Sequence, residues 1–208
     1  MITIHCLAYS RAIRLIWLME DLGQPYDLVR YDRTDAFRAP PALRDVHPLG
    51  KSPVIEDGDL RLAESASCLR YLTRKFDDHT HTPDPGSAAY AHHEELLDYV
   101  EGSFAAACMS VLLPAMKGED IAENARDRLN MHLTYIAQNL PDHGLLFGET
   151  ASLADIQMSY LLANLAAAGF LADAPRVETY WNDLQKHYGY IAATKVAGPM
   201  APDLQAAQ

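Results

Sequence analysis

The residues best placed to do chemistry lie in GKSPVIEDGDLRLAES, positions 50 to 65. Val54-Ile55 and Leu60-Arg61-Leu62 flank Glu56-Asp57-Gly58-Asp59, and Asp-Gly supplies the positive backbone dihedrals of a tight hairpin, so the stretch predicts two antiparallel strands. Cys68, Leu69 and Leu72 then recur at helical spacing in a run over 67–75, which places Glu64 and Ser65 where a strand hands over to a helix. The first amides of a helix have no internal partner and carry the positive end of its dipole, so a carboxylate bound there satisfies them. Capping of the helix by Ser65 is the plainer alternative. Pro53 opens the first hairpin strand, one of the few strand positions a proline tolerates. With a cis Ser52-Pro53 bond, the peptide before it could turn outward and pair with an extended ligand.

Other elements must hold these positions. Residues 2–7 (ITIHCL) read as a first strand, and Leu15, Leu18, Met19 and Leu22 form one helical face that Gly23 ends. Tyr26 to Tyr31 reads as a second strand, and two strands joined through a helix imply a right-handed parallel βαβ unit. The connection over 32–51 contains Pro40-Pro41 and one short helix, and is expected on the surface. This α/β segment, 1–76, ends at a polar linker, 77–86, and 87–208 reads as entirely helical. The helices are expected over 88–116, with an interruption near Pro114, then 122–140, 152–168 and 175–196, and the closing 201–208 is expected to fray. Ser152-x-x-Asp155 before an apolar run is a capping box, worth about 0.5 to 2 kcal/mol to folding.

Composition narrows the class. The chain has 208 residues, 49% of them hydrophobic, and a formal net charge of -11. That charge, with Arg74-Lys75 the only adjacent basic pair, argues against a nucleic-acid surface. No stretch reads as a membrane span and no secretory leader is recognisable, so a cytoplasmic protein is expected. Three scattered cysteines, Cys6, Cys68 and Cys108, suit neither a disulfide framework nor a metal site, and His79/His81 and His92/His93 are expected on a solvated surface. No metal is implied.

An α/β segment carrying HPLGKSPVIEDGDLRLAES and a helical segment carrying GETASLADI together resemble the cytosolic glutathione transferases. The resemblance implies a thioredoxin-like first domain, an all-α second domain and a homodimer. It implies that Pro53 is cis, that the Ser52 backbone pairs with the cysteinyl unit of glutathione, that Glu64 and Ser65 hold its γ-glutamyl end, and that Lys51, assisted by His47, reaches the glycyl carboxylate. The position before the proline is usually valine in that family and is Ser52 here.

YSRAIRLIWLMEDLGQPYDL resembles the first helix of the serine-type, bacterial-like classes, with Ser10 as donor to the glutathione sulfur and Arg11 following. The magnitudes fit. Lowering a thiol pKa from about 8.5 by about two units takes about 2.7 kcal/mol, and a hydroxyl hydrogen bond to an anion gives about 1.5 to 3, with up to about 2 more from a helix N-terminus. Capping by Ser10 is the alternative role. Tyr9 is a rival donor, and Cys6 a rival nucleophile for a redox transferase. The implied activity is attack of glutathione thiolate on an apolar electrophile in detoxification, with glutathione as co-substrate. Glutathione-dependent peroxidase, reductase or isomerase chemistry and a non-catalytic scaffold are the alternatives. Tyr99, Phe104 and Met109 are available either to an electrophile pocket or to the core.

Overall fold

The computed structural model describes residues 1–202. The chain forms two compact units, one of Met1–His79 with His187–Met200 and one built on Thr80–Lys186.

The first unit is a four-stranded sheet in the order β2-β1-β3-β4, formed by β1 (Ile2–Leu7), β2 (Tyr26–Tyr31), β3 (Val54–Asp57) and β4 (Leu60–Ala63). β1 is the hinge of the arrangement. It runs parallel to β2, from Ile2 opposite Tyr26 to Leu7 opposite Tyr31, and antiparallel to β3, with His5 opposite Val54. The order β-α-β-α-β-β-α, completed by α1 (Ile13–Leu22), α2 (Ala42–Val46) and α3 (Ser65–Lys75), is thioredoxin-like. Gly23, in the left-handed region at φ 60°, ends α1 where the sequence places its stop. The hairpin differs slightly from expectation, because Asp57 is still paired with Leu60 and the turn is Gly58-Asp59, with only Gly58 at positive φ (60°). Helix α3 also starts two residues earlier than its apolar run, at Ser65.

Every residue of α1 from Ile13 to Met19 is buried, more than a single amphipathic face would cover. Part of that cover is α9 (Tyr188–Ala197), which packs on α1 within this unit. Trp17 meets Tyr190 edge-on at 5.6 Å, Trp17 Nε1 donates to Asp21 at 2.8 Å, and Arg30 Nη1 donates to the Val196 carbonyl at 2.7 Å. The expected single helix over 175–196 is therefore two, α8 (Pro175–Leu184) and α9, separated where His187 turns extended.

The second unit holds α4 (Ala88–Tyr99), α5 (Ala105–Met116), α6 (Glu123–Asn139), α7 (Leu153–Ala167) and α8. Helices α4 and α5 are joined by a π-helical stretch, Val100–Phe104, so the interruption expected near Pro114 falls at Gly102 instead; Pro114 is tolerated in the last turn of α5. Contrary to the sequence expectation, 88–116 is by length and composition apolar enough to cross a membrane, and half of its most apolar 18-residue stretch is buried in the protein, as in a core helix. Helix α7 is buried nearly all round and opens with the capping box, Ser152 Oγ accepting from Asp155 N and Asp155 Oδ2 accepting from Ser152 N. The histidine pairs are only half at the surface. His79 and His92 are exposed, whereas His81 and His93 are buried, His93 meeting the Phe147 ring at 5.4 Å. Phe104 is fully buried, with Tyr99 stacked on it at 6.0 Å and bonded through its hydroxyl to His132 Nδ1 at 2.7 Å. The fraying expected of 203–208 lies outside the described residues.

Candidate active site

Strand register brings the candidate residues to one end of the sheet. His5 opposite Val54 sets Leu7 beside Ser52, and Val54 opposite Ala63 sets Pro53 beside Glu64. The Ser52-Pro53 peptide is cis. Ser52 Oγ donates to the His5 carbonyl at 2.8 Å, accepts Leu7 N–H at 3.1 Å, and lies 3.1 Å from Ser10 Oγ.

Ser10 is buried, at 8% exposure, in the turn between β1 and α1, and its Oγ also accepts Ala12 N–H at 3.3 Å. It is not the helix cap, a position held by Ala12. Tyr9 before it is a non-glycine residue at φ 53°, a backbone state that persists only where the surroundings impose it. The imposition is visible. Arg33 Nε donates to Ala8 O at 2.9 Å, Nη2 to Tyr9 O at 2.9 Å, and Nη1 to Phe37 O at 3.0 Å, while the Tyr9 and Phe37 rings stack at 5.9 Å.

Glu64 occupies the N-cap of α3 at φ 67°, with no side-chain cap bond, and its carbonyl takes Cys68 N–H at 2.9 Å. Ser65 therefore begins the helix and does not cap it, its Oγ accepting from Arg14 Nη1 at 2.9 Å. Glu64 is exposed, Ser65 is buried, and the Arg14 beside it is a fully buried cation. Lys51 is exposed next to Ser52. His47 is half-buried in a turn where Gly50 N–H donates to its carbonyl at 2.8 Å and Leu49 N–H to its Nδ1 at 3.4 Å, which leaves Nε2 as the neutral ring's donor. Arg11 is half-buried just after Ser10.

Cys6 is buried in β1, its Sγ directed at the Leu7 carbonyl, and burial pushes its thiol up to about 11, against a smaller pull from Arg30. At neutral pH it is a thiol, a poor nucleophile. Among the described residues no group of three or more His, Cys, Asp or Glu could hold a metal.

Arg14 and Arg33 escaped the sequence reading. Arg14 carries a local signal, as the one charge in an otherwise apolar run from Ala12 to Met19. Arg33 carries none, since its partners are carbonyls 24 and 25 positions earlier and Phe37.

The chain has clear relatives among known proteins. Residues 5–74 match the glutathione S-transferase N-terminal domain. Glutathione S-transferase 1 of Saccharomyces cerevisiae is 30% identical over 94% of this chain and 95% of its own. A glutathione S-transferase of Actinobacillus pleuropneumoniae superposes with a TM-score of 0.85 at 30% identity, over 99% of this chain and 96% of that one. A glutathione transferase homologue from Sulfitobacter, solved with bound glutathione, shares the fold at a TM-score of 0.77 and 17% identity, over 94% and 98% of the two chains. With a relative at that identity matched across almost the whole of both chains, and a thioredoxin-like unit followed by helices, the chain belongs to the glutathione S-transferase family.

Proposed function

We propose that this glutathione transferase binds glutathione in extended form along the Ser52 backbone, with its thiolate at Ser10 and its γ-glutamyl end at Glu64, Ser65 and the N-terminus of α3, the ammonium toward the Glu64 carboxylate and the carboxylate toward Ser65 and the first helix amides. Lys51 and His47 face the glycyl end. The chemistry is that of the serine-type classes: the thiolate, held by the Ser10 hydroxyl, attacks the electrophilic carbon of an apolar molecule and forms the S–C bond, either as the leaving group departs with its bonding pair to solvent or, in an addition, as the resulting carbanion takes a proton from solvent. A homodimer and a cytoplasmic setting belong to the same reading.

The observation that carries it is the position of Ser10. Its buried hydroxyl stands within hydrogen-bond distance of Ser52 and directly before α1, at the end of the sheet where Glu64 and Ser65 also emerge. The buried thiol of Cys6 argues against mixed-disulfide chemistry on that residue. The glutathione held by the Sulfitobacter neighbour supports the choice of ligand.

Ultraviolet difference titration of protein-bound glutathione tests the donor. In Ser10→Ala the bound thiol should titrate about 1 to 2 pH units higher than in the wild type, the worth of one hydrogen bond to an anion. Conjugation of a model electrophile near neutral pH should fall in step. An unchanged titration together with a wild-type rate would remove Ser10 from the mechanism.

A further inference from the structure

The hydroxyls of Ser10 and Ser52 lie 3.1 Å apart, and counting their protons fixes how they are wired. A serine hydroxyl has one proton and two lone pairs. Ser52 Oγ is 2.8 Å from the His5 carbonyl oxygen, which can only accept, so the Ser52 proton points there. Leu7 N–H fills one lone pair of Ser52 at 3.1 Å, and the Ser10 proton fills the other. Ser10 Oγ in turn accepts Ala12 N–H at 3.3 Å. The chain thus runs from Ser10 through Ser52 to His5 O, with the Ser10 proton committed to Ser52.

Binding of a thiolate has to reverse this. Swinging the Ser10 proton alone would strip Ser52 of a donor. Turning both protons does not return that donor and gives up the Ser52 bond to His5 O, but it hands Ser10 Oγ a second donor where the thiolate charge is met, and rotation about two Cβ–Oγ bonds moves only hydrogens and leaves every heavy atom in place. We propose that Ser52 is a positioning residue for thiolate activation, its hydroxyl turning from His5 O to Ser10 Oγ as Ser10 turns its own proton to the glutathione sulfur. The thiol proton leaves to solvent, each serine keeps its own proton, and S–H is the only bond broken. Ser10 then accepts from both Ala12 N–H and Ser52 O–H, and each accepted bond polarises its O–H and makes it a stronger donor. An aliphatic side chain at 52 supplies no such bond.

The inference rests on Ser10 being the thiolate donor, and a double-mutant cycle separates the two ideas. The bound-thiol titration is measured in the wild type, Ser52→Val, Ser52→Thr, Ser10→Ala and the Ser10→Ala/Ser52→Val double variant, with the glutathione Kd and melting temperature followed alongside. Ser52→Val should raise the bound-thiol titration by roughly 0.5 pH unit, about a threefold loss in the ratio of thiolate to thiol. Ser52→Thr, which keeps the hydroxyl, should restore the wild-type value, and Ser52→Val should add nothing once Ser10 is alanine. Ser52→Ala serves the same comparison if the valine variant does not fold. A Ser10→Ala shift with no Ser52→Val shift, or a Ser52→Val shift that persists in the Ser10→Ala background, would overturn the relay alone. A missing Ser10→Ala shift would overturn the donor assignment and the relay with it. A change confined to Kd or melting temperature would assign Ser52 to fastening the end of β1, against the proposal.

Discussion

Replacing Asp155 should cost far more than a helix cap ordinarily does. Its carboxylate is fully buried and accepts four hydrogen bonds: Ser152 N at 2.8 Å and Ser152 Oγ at 2.6 Å on Oδ2, and Leu146 N at 3.2 Å and the Tyr180 hydroxyl at 2.6 Å on Oδ1. The capping box thus also ties the loop before α7 and the face of α8 to the same group. Each donor left unsatisfied costs about 1 to 3 kcal/mol, and removal of a buried carboxylate returns several, so Asp155→Ala should lose a net of about 3 to 5 kcal/mol. For a chain of this size that is a fall of roughly 10 °C in melting temperature. Asp155→Asn keeps an acceptor for Tyr180 and Leu146 but turns an amide N–H₂ toward Ser152, so it should lose about half as much. Burial raises the Asp155 carboxyl, against the four hydrogen bonds that lower it. With the folded value above the unfolded one, the group's contribution is greatest in acid and declines as pH rises through the folded value. The Asp155→Ala deficit should therefore grow as the pH is lowered toward the unfolded carboxyl value of about 3.9. Melting of the variants by circular dichroism, with conjugation per folded molecule as the control for activity, decides the matter. A variant melting within about 2 °C of the wild type would refute the reasoning, since even one lost buried bond exceeds that.

Gly189→Ala should destabilise by about 1 to 3 kcal/mol, because its Cβ would run into Trp17 and Asp21 at the contact of α9 with α1. Gly102→Ala, whose Cβ meets nothing, should hold or gain up to about 1 kcal/mol; equal melting losses in the two variants would contradict this. Arg33→Lys removes the fork that grips Ala8, Tyr9 and Phe37, and should lower kcat roughly tenfold with a smaller change in KM, as expected when a reacting group drifts rather than when substrate contacts are lost. Unchanged kcat would show that the Tyr9 turn holds itself.

Local signals were legible in the sequence and distant ones were not. β1, β2, the glycine stop of α1 and the capping box were readable because each is written within a few consecutive residues. The split between α8 and α9 was not, since what decides it is packing of Gly189 and Tyr190 on a helix more than 160 positions earlier. The site follows the same division. Pro53, Glu64 and Ser65 stand out by residue type at strand and helix ends, whereas Arg14 and Arg33 act through partners that only the folded chain supplies. Ser52 shows how much turns on register. From sequence it was a change of packing beside a proline; with His5 opposite Val54 it becomes a polar link to a hydroxyl 42 positions earlier. A slip of one residue between β1 and β3 would turn the Ser52 side chain to the opposite face and break its bonds to His5, Leu7 and Ser10 together. The register of β3 on β1, with Ile55 opposite Ile4 and Val54 opposite His5, is in this sense part of the proposed site, although neither Val54 nor Ile55 has any chemistry of its own.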